Sequence, residues 1–252
     1  MVKRDDLVSF LNQYFEPFEG LAKGREMLIN GLQIRGDTGV TKIGLGVSAS
    51  LAFFRKARES GCNFLIVHHG LGFSGVERTS EFAPHTQERL RFLFQNNLSL
   101  SGYHFMLDHH PEIGNNAWVI RKLGAEVVDN IFDKWGWFGR FPQPKALDDV
   151  LEQCASIYGH PAHVVGRVPS EVSVLAIVSG SGSVDYKRPD VIDEFLKNKI
   201  ELEIVGDMKE SHPAFVQEIG LCLAAFGHYN TETIGVRNLG EVIKKEFSRL
   251  EV

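Results

Sequence analysis

The chain has 252 residues, 43% of them hydrophobic, and a formal net charge of −5. That length buries the core of one large domain or two small ones, and a mild acidity without long runs of one sign excludes the basic footprint of a general nucleic-acid binder. No apolar run reaches membrane-spanning length, and Lys3-Arg4 leads into Asp5-Asp6 rather than an apolar stretch, so neither a membrane anchor nor a signal peptide is expected. The isolated cysteines Cys62, Cys154 and Cys222 read as buried free thiols of a cytoplasmic protein.

Leu7, Val8, Phe10, Leu11 and Phe15 recur at helical spacing, predicting a helix over 5–16 that Pro17 and Gly20 end. Asn30-Gly31-Leu32-Gln33-Ile34 reads as a turn entering a strand, and 43–47 as a second strand ending in Ser48-Ala49-Ser50. A helix then runs to about Ser60, with Gly61 as its stop. Phe64-Leu65-Ile66-Val67 is a strand apolar on both faces that runs straight into His68-His69-Gly70. A loop over 70–83 leads to a helix opened by Pro84, a strand over 98–103 ending at His104, and a loop Asp108-His109-His110-Pro111. Asn115 and Asn116 are candidate caps for a helix to Leu123, closed by Gly124. The aromatic segment 128–141 reads as core strands with tight turns. With only Lys134 and Arg140 interleaved, it lacks the positive groove of a single-strand binder.

A helix over 145–158 precedes strands at 162–168 and 172–178, separated by a Pro169-Ser170 turn. Ser179-Gly180-Ser181-Gly182-Ser183 follows. Its amides could cradle a phosphate, though the spacing fits neither the Rossmann nor the P-loop signature, and a flexible turn is the plainer alternative. Next come a helix over 189–198, a strand over 200–205 ending in Gly206-Asp207, a helix over 213–219 and a strand over 221–226 ending in Gly227-His228. The final helix, over 233–249, places Val236, Leu239, Val242, Ile243 and Phe247 on one face.

The two halves share a layout: a strand ending in serines, a helix, a strand ending in a polar pair, a helix, a strand ending in histidine. Alternation of this kind predicts an α/β protein of two similar lobes, 1–127 and 128–252, with mostly parallel sheets flanked by helices. The last helix could pack back on the first lobe, and a cleft between the lobes would receive His104 and His228.

Chemistry concentrates at the strand ends. Adjacent side chains on an extended backbone point to opposite sides, so His68 and His69 can serve two metal ions, or one ion and a supporting partner. His104 and Asp108 offer an imidazole and a carboxylate four residues apart, and His228 and Glu232 repeat the combination. Two cations need several anions, and Glu232 has the longer reach for bridging. A site of His68, His69, Asp108, His228 and Glu232 offers nitrogen and oxygen donors only, suited to two divalent ions of zinc, iron, manganese or nickel. Water on such ions becomes a nucleophile near neutral pH.

Val67-His68-His69-Gly70, Gly102-Tyr103-His104 with Leu107-Asp108, Pro111-Glu112-Ile113-Gly114-Asn115-Asn116-Ala117 and Gly227-His228-Tyr229-Asn230-Thr231-Glu232 together resemble the YbgI-like, Nif-three-like family of dinuclear, hexameric metal proteins. Asn30-Gly31-Leu32-Gln33 and Gly206-Asp207 match its pattern as well. The resemblance implies two α/β lobes with a dinuclear centre between them and a ring-shaped homohexamer. It implies His68, His69, Asp108, His228 and Glu232 as ligands, with His104 facing substrate or supporting the ligands. His104 and Glu232 are accordingly the candidate catalytic residues. Two departures stand out: Ser48 where many relatives have aspartate, and a displaced histidine in Gly206-Asp207-Met208-Lys209-Glu210-Ser211-His212, which weakens a site role for His212. His110 matches a histidine of close relatives and is a candidate for the site rim. His109 is expected in a solvated loop, Tyr229 as a packing residue with its hydroxyl bonded at the rim, and His85, His160 and His163 as ordinary helix or loop residues. The resemblance extends to type 2 GTP cyclohydrolase I homologues, hence to a metal-dependent hydrolase of a small, nucleotide-like substrate. The alternatives are a metal carrier for cofactor assembly and a metal-stabilised ring scaffold. An open coordination position favours the first two, because a purely structural metal is normally closed.

Overall fold

The structure, a computed structural model, describes residues 1–22, 28–72 and 82–252. The expected loop over 70–83 lies largely outside them. In chain order the elements are β1 (Val2–Lys3), α1 (Arg4–Ala22), β2 (Gly31–Ile34), β3 (Gly39–Val40), β4 (Ile43–Ser48), α2 (Leu51–Glu59), β5 (Phe64–His69), α3 (Pro84–Gln95), β6 (Ser99–Gly102), α4 (Phe105–His109) and α5 (Ala117–Lys122). There follow β7 (Glu126–Ile131), β8 (Gly136–Ala146), α6 (Leu147–Tyr158), β9 (His163–Gly166), β10 (Glu171–Val178), α7 (Pro189–Lys197), β11 (Leu202–Val205), α8 (His212–Glu218), β12 (Cys222–Ala225), α9 (His228–Thr231) and α10 (Thr233–Glu246). Among the described residues no helix is long and apolar enough to cross a membrane.

The chain forms two compact units, Met1–Leu107 with Val236–Val252, and Asp108–Gly235. This division differs from a split at 127/128: the segment from Asp108 through α5 counts with the second unit, and most of α10 with the first.

The first unit carries a four-stranded sheet in the order β2-β6-β5-β4. β4, β5 and β6 are parallel and β2 runs antiparallel to β6. Leu65 and Val67 of β5 join Phe54, Leu93, Leu98 and Leu100 in one apolar cluster, so by the two-residue period His68 projects from the opposite face. Leu7, Leu11 and Phe15 of α1 are buried, and Phe15 stacks on Tyr103 with ring centroids 4.5 Å apart. Pro17 lies inside α1 rather than ending it; a proline inside a helix forfeits one backbone hydrogen bond, and tertiary packing of the buried face outweighs that local loss.

The second unit carries a six-stranded sheet in the order β7-β8-β10-β11-β12-β9. Only β10/β11 and β11/β12 are parallel, so this sheet is mixed rather than mostly parallel. Both faces are covered. Leu175, Ile177, Leu202, Ile204, Cys222 and Ala224 pack into one cluster, and Val174, Ala176, Val205, Leu223 and Ala225 into the other. The alternation along each strand is what a doubly covered sheet requires. The three cysteines are buried free thiols.

The internal repeat is a topological fact. β4-α2-β5-α3-β6 and β10-α7-β11-α8-β12 each form three parallel strands in sequence order, and each third strand pairs antiparallel with a strand from earlier in the chain, β2 or β9. Ser48, His68-His69 and His104 therefore stand at the same strand ends as Ser179, Gly206-Asp207 and His228. Polar groups at the carboxyl ends of parallel strands are where open α/β sheets do chemistry.

Candidate metal centre

In the first unit, three imidazoles converge. His68 is fully buried, and its Nδ1 lies 3.0 Å from the carbonyl oxygen of Tyr103. A carbonyl only accepts, so Nδ1 carries the proton and Nε2 presents the lone pair. His69 lies opposite Ser48 in the β4/β5 register, its Nδ1 3.5 Å from the Ser48 hydroxyl, the outer limit of a hydrogen bond. His104 follows β6, and its backbone N–H donates to Asn30 Oδ1 at 2.7 Å. Ligand nitrogens of His68, His69 and His104 lie within 4.8 Å of one another. Three close nitrogen donors suit a divalent transition ion. Behind them, Gln33 clamps the chain leaving the histidines: Oε1 accepts from Leu71 N–H at 2.8 Å and Nε2 donates to Leu71 O at 3.1 Å. A Cβ at Gly70 would stand 2.5 Å from Gln33 Oε1, so glycine is what lets the clamp close.

The second unit presents carboxylates. Asp108 ends up in α4, not in a loop. Its Oδ1 accepts from Asn115 Nδ2 and from the Ser179 hydroxyl, each at 2.8 Å. His228 and Glu232 lie one helical turn apart, with Nε2 3.1 Å from Oε1, and His228 Nδ1 is 2.7 Å from Asp207 Oδ2. Glu232 above all, opposed by burial and aided by Asp207, holds the imidazolium up to about 9. A position that retains a proton so strongly is one that favours a cation, and a buried carboxylate (Glu232 is 3% exposed) needs one.

Asn115 and Asn116 do not cap α5. Asn116 occupies the cap position without a side-chain cap bond. Its Nδ2 instead donates to Asp108 O at 3.2 Å and Trp135 O at 2.9 Å, and its Oδ1 accepts from Ser179 N–H at 2.9 Å. Asn115 Oδ1 accepts from Gly235 N–H at 2.7 Å. Tying separated segments together has taken precedence over local capping. Replacing Asn116 with alanine withdraws the partner of three backbone groups at once. It is expected to cost about 2–4 kcal/mol in urea unfolding; a loss below about 1 kcal/mol would contradict this account.

Other histidines do different work. His109 is buried, not solvated: its Nδ1 lies 3.0 Å from Lys134 O, Trp137 donates to its carbonyl, and burial pushes its pKa down. The reason is α4, which turns it inward. His110 is also buried. Its Nδ1 accepts from Glu112 and Ile113 N–H, and burial, with His109 and Arg121 nearby, holds it down to about 4. It is a neutral acceptor closing a turn. His212 is buried and its Nδ1 accepts from Lys209 N–H at 3.3 Å, with burial lowering its pKa. Tyr229, expected to pack, is 64% exposed; His85, His160 and His163 are exposed, and His163 opens β9 rather than lying in a helix or loop. Asp207 had only a place in the matched motifs as its signal in the sequence, whereas Asn115 and Asn116 read as helix caps and Ser179 as part of a glycine-serine turn, so their bonds to separated segments were not announced there.

The sequence model of the family Duf34/NIF3 (NGG1p interacting factor 3) matches residues 2–252. A Pyrococcus horikoshii protein named GTP cyclohydrolase 1 type 2 homolog is 32% identical over 251 residues, covering 97% of this chain and 94% of the relative. Among solved structures, the ybgI protein, described as of unknown function, superposes with a TM-score of 0.84 at 29% identity, covering 100% of this chain and 96% of that one. TTHA1606 from Thermus thermophilus superposes with a TM-score of 0.81 at 33% identity, covering 100% and 97%.

Proposed function

Because this chain belongs to the Duf34/NIF3 family, we propose that it is a divalent-metal protein that hydrolyses a small, nucleotide-like substrate. His68, His69, Asp108, His228 and Glu232 are the ligands of two ions in this reading. The observation that carries it is the convergence of His68, His69 and His104 at the carboxyl ends of parallel strands. The His228–Glu232 pair at the matching strand end of the second unit supports it. Nitrogen and carboxylate oxygen donors without thiolate fit zinc, iron, manganese or nickel. Bound there, a divalent ion supplies Lewis acidity and lowers the pKa of water. The chain's own residues do the rest. Tyr103 O fixes the His68 ring, Asp207 orients His228, and Asn115 with Ser179 orients Asp108. His104, its backbone fixed by Asn30, is the group that holds or moves a proton at the substrate. The name of the relatives suggests the nucleotide class, and the family resemblance suggests a homohexameric ring.

The test is metal content of the purified protein followed by a nucleotide-hydrolysis screen with and without chelator. About two tightly held ions per chain are expected, with turnover that chelation abolishes and metal restores. Readily lost metal without turnover on any nucleotide would replace hydrolysis with metal carriage, and tightly held metal without turnover would replace it with a metal-stabilised scaffold. No metal even after reconstitution would overturn the reading.

A further inference from the structure

The glycine-serine run after β10 has an obvious sequence interpretation, a phosphate cradle, that its hydrogen bonds oppose. Ser179 N–H donates to Asn116 Oδ1 at 2.9 Å, and Gly180 N–H donates to Thr231 Oγ1 at 3.1 Å. The amides nearest the carboxylates are thus already engaged. Gly180 O accepts from Asp207 N–H at 2.9 Å, and the Ser179 hydroxyl donates to Asp108 Oδ1 at 2.8 Å. At the far end, the Ser183 hydroxyl and Val184 N–H donate to the two oxygens of Glu203 at 3.1 and 3.0 Å. We infer that residues 179–184 are a strap that positions the carboxylates Asp108 and Glu232, with Ser179, Gly180 and Glu203 as its positioning residues. The inference rests on the metal-centre reading and deepens it.

Glu203 explains why the strap stays down. It sits in β11 between Leu202 and Ile204, fully buried on the face of the sheet where its strand neighbour Val205 packs. A carboxyl in that place is costly unless it is hydrogen-bonded. The strap provides both donors, so lifting it would strand a buried carboxyl. At the other end, Gly180 has φ +69°, and a Cβ there would collide with Glu232 Oε1 and stand 3.2 Å from His228 Nε2. The absence of a side chain at 180 is what leaves Glu232 in its place. Ser179, one residue earlier, shares Asp108 Oδ1 with Asn115 and so fixes the rotation of that carboxylate. Groups that orient ligands in this way are worth about 10–100-fold in metal affinity.

The experiment measures affinity of the full-length protein for Zn2+ and Mn2+ by competition with a chelator, together with metal-free melting temperature. The variants are Ser179→Ala, Gly180→Ala, Glu203→Leu and Glu203→Gln. Gly180→Ala and Glu203→Leu are expected to weaken metal binding about tenfold or more, and Ser179→Ala severalfold. Glu203→Gln is expected to restore wild-type affinity to within about twofold, because its Oε1 can accept from Val184 N–H while its amide donates to the Ser183 hydroxyl. Wild-type metal binding that persists unchanged in the first three variants would overturn the strap and leave the metal centre standing. If Gly180→Ala or Glu203→Leu fails to fold, Ser179→Ala, which loses a single hydroxyl, decides the matter alone. A wild-type protein that binds neither ion would overturn the metal centre and the strap with it.

Discussion

Glu232→Ala is expected to lose tightly held metal, with affinity falling at least about a hundredfold. Two divalent ions bring four positive charges, and the proposed set offers only two carboxylates against them, so each carries a large share of the neutralisation. Both are buried, and Glu232 faces a histidine directly, its Oε1 3.1 Å from His228 Nε2. Its removal also deletes the largest cause of the raised His228 pKa, which should return from about 9 toward the ordinary value of 6.5. The two effects are separately measurable, the first by elemental analysis after dialysis and the second by NMR titration of the metal-free protein. Glu232→Gln keeps the shape and removes the charge. It should behave like alanine if charge neutralisation dominates and like wild type if shape does. An alanine variant that retains the wild-type metal content would remove Glu232 from the ligand set.

What the sequence made legible was local. The apolar run before His68, the His228-x-x-x-Glu232 spacing and the alternation of the main strands and helices are all punctuated by residues within a few positions, and the structure has them, whereas Asp108 lies in a short helix rather than in the expected loop. What it concealed was pairing. The Pro169-Ser170 turn joins two strands adjacent in sequence, yet β9 pairs with β12 and β10 with β8 and β11. No local signal distinguishes those outcomes, because a strand's partner is chosen by burial across the whole sheet. Asn115 and Asn116 look like helix caps for the same reason: the capping preference is local, whereas their bonds reach Ser179 and Gly235. Pro17 misleads in the opposite sense, a strong local signal overridden by packing. Glu203 is the sharpest case. Nothing in Leu202-Glu203-Ile204-Val205 announces a buried carboxyl held by a segment twenty residues upstream, and only the hydrogen bonds of Ser183 and Val184 reveal it.

Glu203 also yields the largest expected pH effect. Burial pushes its pKa from 4.5 up to about 7, against the two strap donors and the attraction of Lys209, the charged neighbour that bears on it. The sign follows from which state holds the proton. Between 4.5 and about 7 the unfolded chain has released it while the folded chain retains it, so stability falls as pH rises through that window and is level above it. The full penalty at pH 8 is about 3 kcal/mol. Glu203→Gln removes the ionisation while keeping both hydrogen bonds. In urea unfolding with chelator present, the stability gap between Glu203→Gln and wild type should therefore widen by about 3 kcal/mol from acid pH to pH 8, in favour of the variant. The comparison cancels every other titrating group, since both proteins share them. Parallel stability curves would show that Glu203 ionises in the folded state as readily as in the unfolded one, which a carboxyl sealed under the strap does not do.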